Sequence, residues 1–293
     1  MSAPGHAAAP PGALAPFLAL VIGSVAMGVS PIFVRLADVG PLSSAFWRVA
    51  LALPLLYAWV LVAEREEAQG ARFSKATILA GLAFAGDLCF WHLAIVNTSV
   101  ANATFFATTA PIWVVLFGWI LFGERAKRAV LAGVALCFAG GAALIGQSFH
   151  LRPAGAVGDL LGIATGLFFG LYFLAVQSAR RKASAARVTF EATAVTAAIL
   201  LAVALVAERF ILPRSAGGIA ALLAMAWISH CGGQGLLSIA LGRLPAAFSS
   251  LVIFLEAIAA AGFAALILGE PVGLVQALGG LAILTGIFIA RPR

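Results

Sequence analysis

The chain has 293 residues, of which 63% are hydrophobic and only 10% are charged, with a mean hydropathy of +1.08. Soluble domains usually carry about 25% charged residues, so this composition excludes an ordinary soluble domain and indicates a protein solvated by lipid. The net charge of +7 would suit a nucleic-acid partner, but the positions of the basic residues explain it without one.

Ten apolar runs follow one another along the chain, each bounded by charge, Pro or Gly. A hydrocarbon core about 30 Å thick needs roughly 20 apolar residues for one helical crossing. Because the runs are continuous rather than alternating, they predict an all-α integral membrane protein and not a β-barrel. We number them spans 1 to 10, at 14–35, 42–62, 77–96, 102–122, 129–146, 157–177, 189–206, 219–241, 246–268 and 272–290.

The first 13 residues lack the basic region of a signal peptide, and their small residues precede the apolar run, so we expect span 1 to be retained. The predicted organisation is a cytoplasmic tail at 1–13, a five-helix repeat at 14–146, an external linker at 147–156, a second five-helix repeat at 157–290 and a cytoplasmic tail at 291–293.

The basic residues divide unequally between the two sides of the membrane once the N-terminus is placed inside. Thirteen then lie in cytoplasmic segments and four outside, the asymmetry that orients membrane proteins. We therefore expect a multi-pass protein of the inner (plasma) membrane with both termini in the cytoplasm. The cytoplasmic set is Arg65, Arg72, Lys75, Arg125, Lys127, Arg128, Arg180, Arg181, Lys182, Arg187, Arg243, Arg291 and Arg293, and the external set is Arg35, Arg152, Arg209 and Arg214.

An internal repeat surrounds two related stretches, GWILFGERAKRAVLAGVALCFAGG from the end of span 4 and AALILGEPVGLVQALGGLAILTGI from the end of span 9. An offset of 146 residues aligns Gly123 and Glu124 with Gly269 and Glu270, and the clustering of further matches around them indicates duplication. Each half has five spans. Because five is odd, the second half enters the membrane from the opposite side, an inverted repeat typical of transporters with a central cavity between the halves.

The stretches PLSSAFWRVALALPLL, APIWVVLFGWILFGER and FLEAIAAAGFAALILGEP resemble the drug/metabolite transporter superfamily, specifically its EamA-type exporters. The resemblance implies a ten-helix carrier, often an exporter of amino acids or other small metabolites. It also implies a cavity among helices 1, 3, 4, 6, 8 and 9, with helices 5 and 10 outside. The family commonly has Pro after the Glu of helix 9, but here Ala257 follows Glu256. Pro111 in span 4 makes a helix break more secure there.

Other repeated residues have structural interpretations. Glu124 and Glu270 directly precede the next span, so we interpret them as helix caps. Four glycines spaced seven apart on spans 5 and 10 predict close helix packing within a subunit or across a homodimer. They are Gly133, Gly140, Gly279 and Gly286. The three cysteines have no metal-ligand spacing, so we predict no metal site and no cofactor.

The deep polar residues are not duplicated, although the scaffold is. A charge at mid-bilayer costs at least about 2.5 kcal/mol, so we expect these residues to face protein or a wet cavity. Helical periodicity places Trp91 beside Asp87, and Trp227 beside His230 and Gln234, as in a pocket with apolar walls and few polar groups. The predicted substrate-binding candidates are Asp87, Trp91, His92, Asn102, Trp113, Tyr172, Trp227, His230, Gln234 and Glu256.

Structural roles stay open for several of these candidates. Asp87 could neutralise Arg48 or His230, and His92 could link two helices. Arg48 lies nearer the outer side and could extend its side chain outward. Trp113 and Tyr172 fit packing as well as they fit a cavity wall.

No catalytic residues are predicted, since the chain lacks GxSxG, HExxH and phosphate-binding motifs. We expect a secondary transporter that exports amino acids or similar small amphipathic metabolites by alternating access. The alternatives are a drug or toxic-cation exporter and a facilitative channel-like pore. The expected partners are the bilayer, a small-molecule substrate and protons as the coupling ion. Glu256 is the first proton-coupling candidate and His230 the next, while Asp87 would contact a polar or cationic part of the substrate.

Overall fold

The computed structural model describes residues 14–64, 72–145, 155–268 and 273–292, and the regular elements in those ranges are all helical. We number ten helices in chain order, five of them built from consecutive segments. They are α1 (Leu14–Gly28 and Ser30–Leu36), α2 (Pro41–Ala50 and Leu53–Ala63), α3 (Lys75–Asn97), α4 (Val100–Ala107 and Ala110–Phe122), α5 (Arg128–Ile145), α6 (Ala156–Arg180), α7 (Ala185–Ala207), α8 (Ala216–Ala224, Met225–Gln234 and Gly235–Leu241), α9 (Ala246–Val252 and Phe254–Leu268) and α10 (Leu274–Ala290).

The predicted spans are present as these ten helices. Eight are long and apolar enough to cross a bilayer, and the remaining two, α5 and α10, are apolar helices of 18 and 17 residues. At about 1.5 Å per residue, even these two cover about 26 Å of a hydrocarbon core roughly 30 Å thick. The all-α membrane class predicted from composition is confirmed.

Serine side chains begin four of the helices. The hydroxyl oxygens of Ser74, Ser99, Ser184 and Ser215 accept hydrogen bonds at 2.9–3.2 Å from backbone N–H groups in the first turns of α3, α4, α7 and α8. Such caps satisfy amide groups that have no partner within the helix. At the other end of α4, Gly123 stops the helix with a φ of 68°, a left-handed conformation that glycine adopts at little cost.

The interpretation of Glu124 as a cap is wrong. α5 begins only at Arg128, so the Glu124 carboxylate lies too far ahead of its first turn and instead approaches Arg181 at the end of α6, with 3.9 Å between Oε1 and Nη2. Glu270, its counterpart in the second half, lies outside the described residues.

Helices α4 and α9 are interrupted at equivalent places in the two repeats. α4 breaks at Thr108 and Thr109, just before Pro111, and α9 breaks at Ile253. The 146-residue offset aligns Ile253 with Ala107, the last residue before the break in α4. The break expected beside Pro111 is present in α4, and α9 is broken as well although it has no proline at that place. In α9 the Glu256 amide N–H donates to the Ile253 carbonyl at 2.8 Å, a tight turn that needs no proline.

The two halves exchange equivalent contacts. α1 packs against α8 and α9 of the second half, and α6, the first helix of the second half, packs against α3 and α4 of the first. α2 packs against α7, and α5 against α10. Since each half has five crossings, the second half runs in the opposite sense through the membrane. The fold is thus a pair of inverted five-helix repeats.

The four predicted glycines bring the α5 and α10 backbones together within one chain. A Cβ atom added to Gly140 would lie 2.5 Å from the Gly279 carbonyl oxygen, and one added to Gly133 would lie 2.7 Å from that of Gly286. Only glycine fits such an approach, which is a common way for membrane helices to associate. Of the two interpretations, packing within a subunit is the one that the structure contains.

The first and last helices distinguish the two ends of the bundle. α1 begins and α10 ends on the same side, which we call the terminal end, and the opposite side is the distal end.

Candidate substrate-binding site

A small cavity of about 40 Å³, the central cavity, receives side chains from both halves of the bundle. Its walls come from α1–α4, α6, α8 and α9, which include the six helices that the family resemblance places around a cavity. Among the described residues, α5 and α10 do not reach it. The lining residues are Met27, Arg48, Asp87, Leu88, Trp91, Ala107, Thr165, Phe169, Gln234 and Glu256.

Arg48 is the residue whose placement sequence analysis misjudged most. It does not extend outward: its side chain is 4% exposed, and its guanidinium carbon lies 5.7 Å from the ring centroid of Trp91. The outer part of α2 is packed between α3, α7 and α8, so the route to the membrane surface is closed to this side chain. The depth of an arginine within an apolar span is the sequence signal that points to such a position.

Two carboxylates from different halves share the cavity with Arg48. Asp87 comes from the middle of α3, and Glu256 from the first turn of the second segment of α9. Both interact electrostatically with the Arg48 guanidinium, yet within the described chain no carboxylate oxygen lies within 4.0 Å of an Arg48 nitrogen. The cavity therefore holds one cationic and two anionic groups that are near one another without forming a close ion pair.

Unused hydrogen-bonding capacity accompanies these charges. Nε of Arg48 and Oε1 of Gln234 are both buried and have no hydrogen-bond partner in the part of the chain that the structure describes. Gln234 donates only weakly, from Nε2 to the Met27 sulfur at 3.3 Å. Buried polar atoms are seldom left unpaired, so these two atoms are suited to bind a polar molecule that enters the cavity.

Four of the ten sequence candidates line the central cavity: Asp87, Trp91, Gln234 and Glu256. Tyr172 lies in the next layer. It is 2% exposed, stacks on Phe84 with ring centroids 4.6 Å apart, and interacts electrostatically with Asp87. Tyr172 can therefore influence the cavity without forming its wall.

Trp227 lies on the outside of the bundle, contrary to its predicted position beside His230 and Gln234. Its side chain is 52% exposed, and its indole N–H donates to the Leu51 carbonyl at 3.3 Å. The reason is that Met225–Gln234 forms a π-helix, whose wider turn breaks the periodicity on which the prediction depended.

The two histidines are buried outside the cavity wall. Nε2 of His230 lies 2.9 Å from the Thr193 hydroxyl of α7, and its ring is 5.4 Å from that of Phe84. His92 is completely buried, and among the described residues neither of its ring nitrogens has a hydrogen-bond partner. His230 thus links α8 to α7, the kind of role that the sequence left open for His92.

Asn102 and Trp113 belong to other surroundings. The Asn102 amide donates to the Asp159 carboxylate at 3.0 Å at the distal end. Trp113 is half-buried, stacks on Phe117 and donates from its indole N–H to the Thr109 hydroxyl at 3.3 Å. Neither residue reaches the central cavity.

Three carboxylates tie the two halves together at the distal end, and sequence analysis missed all three. Glu208 accepts hydrogen bonds from the backbone N–H groups of Leu42 and Ser43 at 2.8 and 3.1 Å, and from the Ser43 hydroxyl. A carboxylate at a helix N-terminus also complements the helix dipole. Asp159 accepts from the Thr98 hydroxyl at 2.8 Å and from the Asn102 amide.

Asp38 forms the third distal tie. It accepts from the Arg214 backbone N–H at 3.0 Å. Hydrogen bonds from the Ser215 side chain and from the Arg214 and Ser215 backbones lower the pKa of the Asp38 carboxyl below its usual 3.8. We call Asp38, Asp159 and Glu208 together the distal latch.

At the terminal end, the buried ion pairs of the described residues lie on one side of the bundle, and the exposed 3.9 Å contact of Glu124 with Arg181 also joins the two halves. Arg187 of α7 pairs with Glu64 at the end of α2, and its Nη1 lies 3.3 Å from Oε1 of Glu191. Glu191 also accepts from the Phe73 backbone N–H at 2.8 Å, so this network joins the halves through α2, α3 and α7.

The other side of the terminal end holds a larger space of about 450 Å³, the terminal cavity, between α4, α5, α6, α9 and α10. Its wall includes Leu174 of α6, whereas Phe169 lies in the wall of the central cavity. Phe173, completely buried and in edge-to-face contact with Phe169 at 4.9 Å, lies between them along α6. Aromatic side chains thus separate the two spaces.

Comparison with known proteins identifies the family. The EamA-like transporter family matches residues 14–146 and again residues 156–291. The chain belongs to the EamA-like transporter family. The resemblance found in the sequence motifs to EamA-type members of the drug/metabolite transporter superfamily is confirmed, and this EamA-like protein is a multi-pass membrane transporter.

Relatives support the same assignment. Two proteins of Archaeoglobus fulgidus, each named "uncharacterized transporter", are 26% and 27% identical to this EamA-like chain over 269 and 281 residues. The alignments cover 89% and 93% of this chain and 92% and 94% of those proteins. A solved crystal structure superposes with a TM-score of 0.78 over 94% of this chain and 95% of its own, at 19% identity, which shows a shared fold.

Proposed function

We propose that this transporter is a secondary carrier that exports amino acids or similar small amphipathic metabolites across the inner (plasma) membrane by alternating access. The terminal end is the cytoplasmic one, as the count of thirteen basic residues against four suggests. The observation that carries the proposal is the central cavity, in which one guanidinium and two carboxylates from both halves lie close together without a close ion pair.

An amino acid matches these groups in charge. Its carboxylate fits the forked donors of Arg48, and its ammonium group fits Asp87. Gln234 can accept a further hydrogen bond at its unpaired Oε1. Met27, Trp91 and Phe169 provide the apolar walls that an aliphatic or aromatic side chain would contact.

The size of the cavity indicates how the substrate would enter. A space of about 40 Å³ is smaller than an amino acid, so binding requires the helices around it to separate. The breaks in α4 and α9 lie next to the lining residues Ala107 and Glu256. The helices are already interrupted at these places, so the backbone can bend there without disrupting a regular helix. Broken helices beside a midplane site are a feature of carriers with inverted repeats.

Glu256 is the group that we assign to proton coupling. It lines the cavity and comes from the broken helix α9. His230, the second candidate, is engaged with the Thr193 hydroxyl and lies outside the cavity wall. Proton exchange at Glu256 could therefore change the charge of the site directly, whereas His230 would act through α7.

The test uses proteoliposomes loaded with a panel of labelled amino acids, with counterflow and pH-gradient-driven accumulation measured separately. Arg48→Gln should reduce amino-acid counterflow by about tenfold or more, because it removes a charge-assisted pair, and Arg48→Lys should restore part of it. Asp87→Asn should lose both activities, whereas Glu256→Gln should keep counterflow and lose accumulation. Trp227→Phe, outside the cavity, is the matched control and should transport normally.

A drug or toxic-cation exporter is the second candidate, since the two carboxylates of the cavity outnumber its single arginine. In that case lipophilic cations would compete for transport, and Arg48→Gln would preserve or improve their flux while amino acids fail to be transported. Flux without saturation or counterflow would instead indicate a channel-like pore and would contradict the carrier proposal.

A further inference from the structure

Two apolar spaces meet beside the turn between α4 and α5 at the terminal end. One is the terminal cavity. The other has a volume of about 470 Å³ and lies along α4 and α5; we call it the α4–α5 groove. Val115, Arg125 and Ala126 line both spaces, so a single wall joins them. The groove is lined by Ile112, Val115, Leu116, Trp119, Arg125, Ala126, Leu131 and Val134.

The α4–α5 groove faces the hydrocarbon. The side chains of Ile112, Leu116, Trp119 and Leu131 are 36–56% exposed and belong to membrane-spanning helices. From Ile112 to Trp119 the groove runs about 10 Å along α4, starting from the terminal end of the bundle. It is therefore placed to receive the upper part of an acyl chain.

Arg125 lies in the wall shared by the groove and the terminal cavity, and Lys127 lines the terminal cavity beside it. Arg125 and Lys127 are exposed, and in the described part of the protein neither has an ion-pair partner. Arg291, at the end of α10, contributes a third positive charge to the same cavity. Glu124 is the one carboxylate among the lining residues, and it approaches Arg181. The mouth of the groove is thus positively charged.

We infer that this junction binds one anionic phospholipid from the leaflet at the terminal end. The acyl chain lies in the α4–α5 groove, and the phosphate is held by Arg125 and Lys127 at the wall shared with the terminal cavity. Basic pockets between transmembrane helices bind anionic head groups in this way, and each basic residue near the membrane surface strengthens binding about fivefold. A zwitterionic lipid would offer the same chain without the net charge.

Native mass spectrometry of the delipidated full chain tests this inference. Phosphatidylglycerol should bind more tightly than phosphatidylcholine with the same acyl chains. The double variant R125Q/K127Q should reduce phosphatidylglycerol binding by about tenfold or more and bring it near the phosphatidylcholine level. Arg243→Gln is the matched control, since Arg243 is an exposed basic residue at the same end that lines neither space. Equal binding of the two lipids, or an unchanged double variant, would overturn the inference.

Two further measurements separate the head group from the chain. Leu116→Trp should fill the groove and weaken phosphatidylglycerol binding with every charge intact, and soluble glycerol phosphate should bind much more weakly than the lipid. If glycerol phosphate binds as well as the lipid and Leu116→Trp has no effect, the site takes a soluble anion and the lipid inference is wrong. The swap R125K/K127R keeps the charges and should retain binding, which excludes a folding defect. Because these measurements need no transport, they stand apart from the proposed function.

Discussion

The two ends of the bundle join the same two halves in different ways. At the distal end, the three carboxylates of the distal latch each accept hydrogen bonds from a loop or helix start of the other half. At the terminal end, the ties are concentrated in the network of Arg187, Glu64 and Glu191, and the opposite side is occupied by the terminal cavity.

This difference would separate two tasks in the proposed alternating-access cycle. The residues of the distal latch lie outside the wall of the central cavity. In the proposed cycle, opening toward the distal end would break their hydrogen bonds, whereas opening at the terminal end between α4 and α9 would not. The distal latch would therefore influence which side is open, and the central cavity would select the substrate.

The largest expected effect concerns which end faces the cytoplasm. A cysteine placed beside Glu124 should be labelled by an impermeant reagent only from the cytoplasmic side, and one beside Glu270 only from outside, in a background without the native cysteines. The reason is that an odd number of crossings separates the two repeated turns. Labelling of both positions from the same side would contradict the inverted arrangement.

The next largest effect should come from Arg187→Ala at the terminal end. The substitution leaves Glu191, which is 2% exposed, without its cationic partner, and breaking a buried pair in this way costs about 3–5 kcal/mol. Thermal unfolding in detergent should show a clearly lowered midpoint. Arg243→Ala, on an exposed residue, should leave the midpoint nearly unchanged, and an equal effect of the two variants would contradict the role of the network.

Glu208→Gln should weaken the contact between the two halves at the distal end and should destabilise the fold less than Arg187→Ala does. It removes charge-assisted hydrogen bonds to the start of α2, each worth about 1.5–3 kcal/mol. A cysteine at Ala107 in the central cavity should then react about tenfold faster with an impermeant reagent added at the distal side. Glu124→Gln at the terminal end is the control. Unchanged reactivity would show that Glu208 does not hold the distal end closed.

The smallest effect should come from Asp38→Asn, because Asp38 is exposed to solvent. We expect the same cysteine reactivity to rise by no more than about twofold. The lowered pKa of Asp38 means that its contribution is present above the usual value of 3.8 and is lost as the pH falls through the lower folded value. Asp38 should therefore cause no change in the reactivity of this cysteine between about pH 6 and 8. If the reactivity depends strongly on pH in that range and Asp38→Asn removes the dependence, the lowered pKa of Asp38 is contradicted.

The helices and their packing could be predicted from the sequence because they depend on local patterns that recur along the chain. Apolar runs of membrane length predicted the ten helices. The glycine spacing predicted close helix packing, which the structure has between α5 and α10. Depth within a span singled out Asp87, Gln234 and Glu256, and these three residues line the central cavity. A single periodicity is enough for such inferences when the helix is regular.

The remaining features depend on geometry that no local pattern encodes. The π-helix in α8 turned Trp227 outward, although the sequence around it has ordinary helical periodicity. Arg48 lies at the cavity because neighbouring helices close its route to the surface. Glu208 accepts hydrogen bonds from backbone N–H groups more than 160 residues away. Every residue except proline has a backbone N–H, so the sequence does not indicate which of them pairs with Glu208.

The glycine contact of α5 with α10 has a consequence for how such a chain could have originated. Gly133 meets Gly286 and Gly140 meets Gly279, while the repeat itself relates Gly133 to Gly279 and Gly140 to Gly286. The contact is therefore isologous: each half presents the same patch to its counterpart, as the subunits of a two-fold symmetric dimer do. A single five-helix unit inserted in both orientations would already carry the complementary surface for pairing with an oppositely oriented copy, so gene fusion would only have had to link two partners that already matched.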